Sequence, residues 1–111
     1  MIEIVINNYL NKKLSVSCHL EKPIDAPNKY VLFEKTGSGK SNHLPSATFA
    51  FQSYAKSMYE ASKLNEEVKE AVESMIELDD IRGVSLNSDY NFTDTTTKEY
   101  RYQAVYDIRY Y

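Results

Sequence analysis

The alternation near the C-terminus constrains the fold more than any other feature of the sequence. In YRYQAVYDIRY, Tyr100–Tyr110, every second residue is Tyr, Ala or Ile, and Arg, Gln, Val and Asp lie between them. A period of two residues predicts a β-strand with two different faces. We expect the tyrosine-rich side to pack under helices as core. A surface between subunits is the alternative, because Tyr suits both environments.

A long helix is predicted from Ser57 to about Asp80. Ser57 and Glu60 have the S-x-x-E spacing of a capping box, and Gly83 is a natural stop. Apolar residues recur at the helical spacing of three to four, which predicts a buried stripe. That stripe comprises Met58, Ala61, Leu64, Val68, Ala71, Val72, Met75 and Leu78.

The remaining patterns complete an α+β fold. Spacing of three to four predicts a short N-terminal helix from Ile2 to about Leu14, although a strand over Ile2–Ile6 stays possible. Alternating stretches predict strands over 14–20, 46–55 and 83–90, and an apolar run predicts another over 29–35. The order is α-β-β-β-α-β-β, which predicts a mostly antiparallel sheet with helices packed on one face. A length of 111 residues allows one core, so we expect a single domain over 1–111.

Composition and charge exclude several classes of protein. The net charge of −3 argues against sequence-specific binding of nucleic acid, which usually needs a basic surface. The sequence has no apolar run of roughly 20 residues, so no membrane partner is expected. Cys18 is the only cysteine, and the N-terminus lacks the basic start of a secretion signal. We therefore expect synthesis inside the cell.

The stretch TGSGKS resembles the end of a nucleotide-binding loop but lacks its other requirements. The first glycine of G-x-x-x-x-G-K-[ST] would fall at Glu34, where a carboxylate has the wrong shape and charge. A phosphate-binding loop also opens into a helix, whereas a strand pattern follows here. Gly37 and Gly39 are instead predicted to supply permissive backbone angles in a loop between strands.

Other groups of polar residues do not complete an active site. Asp89 and Asn91 open like a calcium loop, but its sixth position is Asp94 where Gly is needed. Cys18 and His43 form a nucleophile and base only if the fold brings them together, and a buried cysteine with a separate loop histidine is favoured. We expect no catalytic residues, no cofactor and no metal site.

Several segments together resemble the small tail-completion proteins of long-tailed phages and of prophages in Gram-positive bacteria. The most specific are FEKTG, FQSYA, LNSDYNFTDT and RYQAVYDI, which occur in consistent order between Tyr30 and Tyr110. The resemblance implies a tail terminator or a head–tail joining protein without enzymatic activity. Such proteins form a ring, commonly a hexamer, at the head-proximal end of the tail tube.

The resemblance also implies partners and a location. The expected partners are further copies of the chain, the tail tube protein and a head completion or connector protein. The protein would assemble in the bacterial cytoplasm and remain in the virion. Two loops, Gly37–Leu44 and Asn91–Lys98, are the expected contact regions. The candidate contact residues are Gly37, Gly39, Lys40, Asn42, His43, Asn91, Asp94, Thr96 and Tyr110.

A different class of function stays open. A protein that binds and regulates another protein through a sheet edge, as a monomer or dimer, would need the same fold and no catalytic residues. An exposed sheet edge readily accepts a further strand. The two hypotheses differ in whether the chain forms closed rings.

Overall fold

Two helices cover one face of a five-stranded sheet. The computed structural model describes residues 1–41 and 43–111. The elements are α1 (Ile2–Lys13), β1 (Cys18–His19), β2 (Tyr30–Ser41), β3 (Leu44–Ala55), α2 (Met58–Glu73), a 3-10 turn (Ser74–Glu77), β4 (Ile81–Asn91) and β5 (Tyr100–Tyr110). The sheet order is β1-β2-β3-β5-β4, and only the β1–β2 pair is parallel. The predicted α+β class and element order are confirmed.

The hydrophobic core lies between the helices and one face of the sheet. Phe33, Phe49, Phe51 and Tyr106 form a cluster of rings whose neighbouring centroids are 5.5–6.2 Å apart. The predicted stripe of α2 is buried at its five central positions and at Met75, while its two ends, Met58 and Leu78, are half-buried. The tyrosine-rich side of β5 faces this core, as predicted, through Ala104, Tyr106 and Ile108.

Neither helix covers the opposite face of the sheet, here called the open face. Side chains alternate along each strand, and the helices pack on the set that includes Phe49 and Tyr106. The open face therefore carries the other set. Its polar members include Thr48, Gln52, Arg101, Gln103, Asp107 and Arg109.

The strand predicted over 14–20 is wrong except at Cys18 and His19. Asn11, in the last turn of α1, explains the short strand. Its side-chain amide donates to the Cys18 carbonyl at 3.0 Å, and its oxygen accepts from the Cys18 amide at 2.9 Å. One side chain thus satisfies the backbone groups that a neighbouring strand would otherwise bind.

The long helix ends earlier than predicted. α2 stops at Glu73 and a 3-10 turn continues to Glu77, while Gly83 lies in β4. Ser74 marks the change, because its hydroxyl donates to the Ala71 carbonyl and its own carbonyl accepts from the Tyr9 hydroxyl. At the other end Ser57 accepts from the Glu60 amide, as the capping box predicts. The Glu60 carboxylate pairs with Lys29 at 3.5 Å.

The loop predicted over 37–44 is wrong at residues 37–41 and at Leu44, where β2 and β3 continue as strands, while His43 lies in the turn between them. Gly37 and Gly39 are strand residues paired with Thr48 and Ser46, and no glycine has a positive φ. His43 has a left-handed backbone, with a φ of 66°. Pairing with β3 supplies the backbone hydrogen bonds of β2, so the low strand propensity of glycine does not end the strand.

Candidate interaction surfaces

The sheet register places the two predicted contact regions at opposite ends of the molecule. Ser46 pairs with Arg109 at one end of the β3–β5 ladder, and Ala55 pairs with Tyr100 at the other. The first end carries the turn between β2 and β3 and is called the β2–β3 end. The second, called the β4–β5 end, carries the turn that follows Asn91. The molecule is elongated, with extents of 44 × 24 × 24 Å.

Five of the predicted contact residues lie at the β2–β3 end. Gly37, Gly39 and Lys40 are exposed on β2, and His43 is exposed in the turn. Tyr110 is half-buried at the end of β5, where it pairs with Ile81. The predicted contact at Asn42 lies outside the described residues. The bare backbone of the two glycines leaves a cleft of about 430 Å³ on the open face beside Asp107 and Arg109.

The other three predicted contact residues lie at the β4–β5 end, where the predicted loop over 91–98 is shorter than expected. Asn91 is the last residue of β4, and a bridge between Asp94 and Glu99 encloses a tight turn. One oxygen of Asp94 accepts from the amides of Thr96 at 3.0 Å and Thr97 at 3.3 Å, and these hydrogen bonds lower the pKa of Asp94. Asp94 therefore holds the turn, whereas Thr96 is exposed for contact.

Hydrogen bonds between side chains organise the open face. Near the β4–β5 end, Arg101 donates to the Tyr54 hydroxyl at 3.0 Å, and Gln52 donates to Gln103 at 2.8 Å. Near the β2–β3 end, Asp107 accepts from Thr48 at 2.7 Å and from Asn87 at 3.2 Å. These bonds cross three strands, so the polar groups of the open face are held in fixed positions.

A cleft at the β4–β5 end contains functional candidates that the sequence did not indicate. Its volume is about 270 Å³, and Lys22, Lys56 and Lys98 contribute to its wall. Tyr30 and Tyr54 line it with their rings stacked at 4.7 Å. The three lysines come from three separate connecting segments. Only the sheet register brings them together, so no local pattern predicts the cleft.

The sheet has two different outer edges without a strand partner among the described residues. β4 pairs only with β5, so its outer edge is free along its whole length. β1 covers β2 only at Val31 and Leu32, so β2 is unpaired on that side from Phe33 to Ser41. The β4 edge exposes Leu86 and Tyr90, while register shifts on either side of Leu86 interrupt its pairing with β5.

The described residues do not assemble a nucleophile and base from Cys18 and His43. Cys18 pairs with Val31 near the start of β2, and His43 follows the end of that strand. Burial raises the pKa of the Cys18 thiol to about 12, which keeps it protonated at neutral pH. Within residues 1–41 and 43–111, no three metal-ligating side chains come together, and no helix is long and apolar enough to span a bilayer.

No family model matches the chain, and no curated protein matches its sequence.

Proposed function

We propose that the protein is a structural subunit of a phage or prophage tail. It is a tail terminator or a tail-to-head joining protein that forms a ring, expected to be a hexamer, at the head-proximal end of the tail tube. Its partners are further copies of itself, the tube protein and a head completion protein. It assembles in the host cytoplasm, remains in the virion and performs no catalysis.

The observation that carries this proposal is the pair of unlike free edges on one sheet. Natural proteins usually cover or blunt such edges, because an unpaired strand invites another chain. Here β2 and β4 bound opposite sides of the sheet, and both are free over most of their lengths. A contact between two unlike edges is head-to-tail, and its repetition closes into a ring when the rotation permits.

The two ends of the molecule support a joining role. A protein that links two structures needs one contact surface for each. The β2–β3 end and the β4–β5 end carry exposed polar turns that the length of the sheet separates. The fixed hydrogen bonds of the open face keep the two turns in one rigid relationship.

The experiment is a measurement of assembly with an edge variant. Light scattering after size exclusion, together with negative-stain images, should show closed rings for the wild type. Leu86→Lys places a charge on the β4 edge, where the wild-type side chain is 47% exposed, and should reduce the rings to monomers. The matched control is Tyr59→Lys, since Tyr59 is 74% exposed in the first turn of α2, a helix that packs mainly on the central strands β3 and β5, and rings should persist.

A persistent monomer, even with tube protein present, would contradict the ring. The same result with retained binding of a single partner would favour a binding module that acts through a sheet edge. Leu86 and Tyr90 on the free β4 edge support that second function.

A further inference from the structure

The cleft at the β4–β5 end combines cationic side chains with an aromatic floor. Lys22 comes from the segment before β2, Lys56 from the segment before α2 and Lys98 from the turn before β5. The floor is the stacked pair of Tyr30 and Tyr54, whose rings are nearly parallel at 4°. A volume of about 270 Å³ lies just below the range of drug-sized pockets, so it suits one or two side chains.

The positive charge of this cleft is only partly balanced. Glu99 lies at 2.9 Å from the Lys22 ammonium, and this hydrogen bond raises the pKa of Lys22. Lys56 and Lys98 take part in no ion pair among the described residues. The wall of the cleft therefore contains two lysines without an ion-pair partner among the described residues, in a chain whose net charge is −3. Like charges repel one another, so this arrangement favours the arrival of an anion.

The backbone at Lys98 adds a second, independent observation. Its φ is 57°, in the left-handed region where Gly and Asn are favoured. In this backbone conformation a lysine costs more free energy than a glycine would. Residues in such sparsely populated conformations cluster at functional sites, including sites that bind ligands.

The tyrosines supply neutral polar groups and apolar contact area. Burial raises the pKa of Tyr30, so its hydroxyl stays protonated at neutral pH. The Tyr54 hydroxyl accepts from Arg101, which holds a further cation beside the floor. Tyrosine and arginine together are typical of the centre of protein–protein contacts.

We propose that this cleft binds carboxylate side chains from an acidic segment of a partner protein. Lys56 and Lys98 pair with the carboxylates, and the stacked tyrosines contact the aliphatic part of the segment. A protein is favoured over nucleic acid because neutralising a phosphate backbone takes many basic contacts, on the order of 6–10. The cleft offers three lysines and one adjacent arginine on an acidic chain.

The test is a titration of isotopically labelled full-length protein, followed by amide chemical shifts at low ionic strength. The probe is acetylated, amidated tetraglutamate, and it should shift the amides of residues 22–30, 54–56 and 96–101. Lys56→Gln with Lys98→Asn should weaken binding about tenfold, since each exposed ion pair contributes on the order of threefold. Asn tolerates the left-handed backbone at residue 98, so the variant should keep its fold.

The matched control removes two lysines elsewhere. Lys12→Gln with Lys63→Gln makes the same change in net charge on exposed helical positions and should leave the titration unchanged. Lys56→Arg with Lys98→Arg should retain binding. The proposal would be overturned if the amide chemical shifts changed evenly at all lysines. Equal losses of affinity in the cleft variant (Lys56→Gln with Lys98→Asn) and in the control variant (Lys12→Gln with Lys63→Gln) would also overturn it. Tighter binding of a thymidine tetranucleotide at the same amides would overturn it in favour of nucleic acid.

Discussion

Asp89 shows how a single carboxylate joins α2 to the edge strand β4. One oxygen accepts from the Asn65 amide at 2.8 Å, and the other accepts from the Lys69 ammonium at 2.7 Å. Burial raises the pKa of Asp89, but the two hydrogen bonds outweigh it and hold the pKa below its ordinary value of 3.8. The same bond, with a second to Glu66, raises the pKa of Lys69 to about 12. The fold therefore favours the charged form of both groups.

Replacing Asp89 should change how stability depends on pH. A carboxyl whose pKa is lowered on folding stabilises the fold above pH 3.8, and that contribution disappears as the pH falls through the folded value. Asp89→Asn should lower the free energy of unfolding by about 1 kcal/mol at pH 6.5, after allowance for solvent screening. Urea denaturation at pH 6.5 and pH 3 should show the gap to wild type shrinking. A gap independent of pH would contradict the argument.

The matched control is an exposed carboxylate outside the described ion pairs. Asp79 follows the 3-10 turn and is exposed, so Asp79→Asn should leave the urea midpoint nearly unchanged at both pH values.

At the residue scale, the sequence predicts local partners and misses distant ones. The Ser57 cap was identified because its partner lies three residues away and its pattern is local. The sequence indicates Asp89 only as the first position of an incomplete calcium motif. Its partner Asn65 is 24 residues away and buried within α2, where the sequence pattern marks only apolar positions. Such a pair becomes visible only when the helix is laid on the sheet.

The β2–β3 hairpin illustrates the same limit for whole elements. The two glycines, Gly37 and Gly39, indicate a loop, but cross-strand pairing carries both strands to Ser41 and Leu44. The reverse holds for the stretch 14–20, where alternation indicates a strand and the Asn11 side chain replaces most of the pairing. The strands that are paired on both sides over most of their length, β3 and β5, are the ones whose bounds the sequence predicts best.

The hairpin makes Gly37 a site where a larger residue is tolerated. Gly37 does not have a positive φ, and a Cβ placed there would meet nothing within 4 Å. Gly37→Ala should therefore raise the free energy of unfolding by about 0.4–1 kcal/mol, since alanine restricts the unfolded chain. Urea denaturation is the measurement. A loss above about 1 kcal/mol would mean that this backbone is not an ordinary strand.

Gly83→Ala provides the contrast on the other edge. A Cβ there would lie 2.7 Å from the Arg109 Cζ, so the Arg109 guanidinium would have to move away from its position beside Gly83. The change should stabilise less than Gly37→Ala, or destabilise, although both positions are strand glycines.

At the scale of the whole molecule, the sequence predicted the class, the element order and the covered face of the sheet. It did not predict which residues meet at the ends. Hairpin ends are defined by register, and a pattern of period two fixes the faces of a strand but not its alignment with a neighbour. The basic cleft is the clearest case, because Lys22, Lys56 and Lys98 are separated in sequence by most of the domain.

The separation of the two ends leads to a prediction about the proposed ring. His43→Asn changes the turn at the β2–β3 end, and Asn suits the left-handed backbone at residue 43. Thr96→Glu changes the β4–β5 end without removing the backbone bond to Asp94. Each variant should weaken binding of one partner, tube protein or head completion protein, by about tenfold and leave the other partner unchanged.

Sedimentation of purified rings with each partner is the measurement, and ring size in negative-stain images is its control. Both variants alter exposed side chains in turns that lie outside β2 and β4, so rings should persist. The two variants should lose binding to different partners. The reason is that a rigid sheet up to 44 Å long keeps the two turns from contacting the same partner. Loss of the same partner in both variants would mean that a single surface spans both ends, and the joining geometry would be wrong.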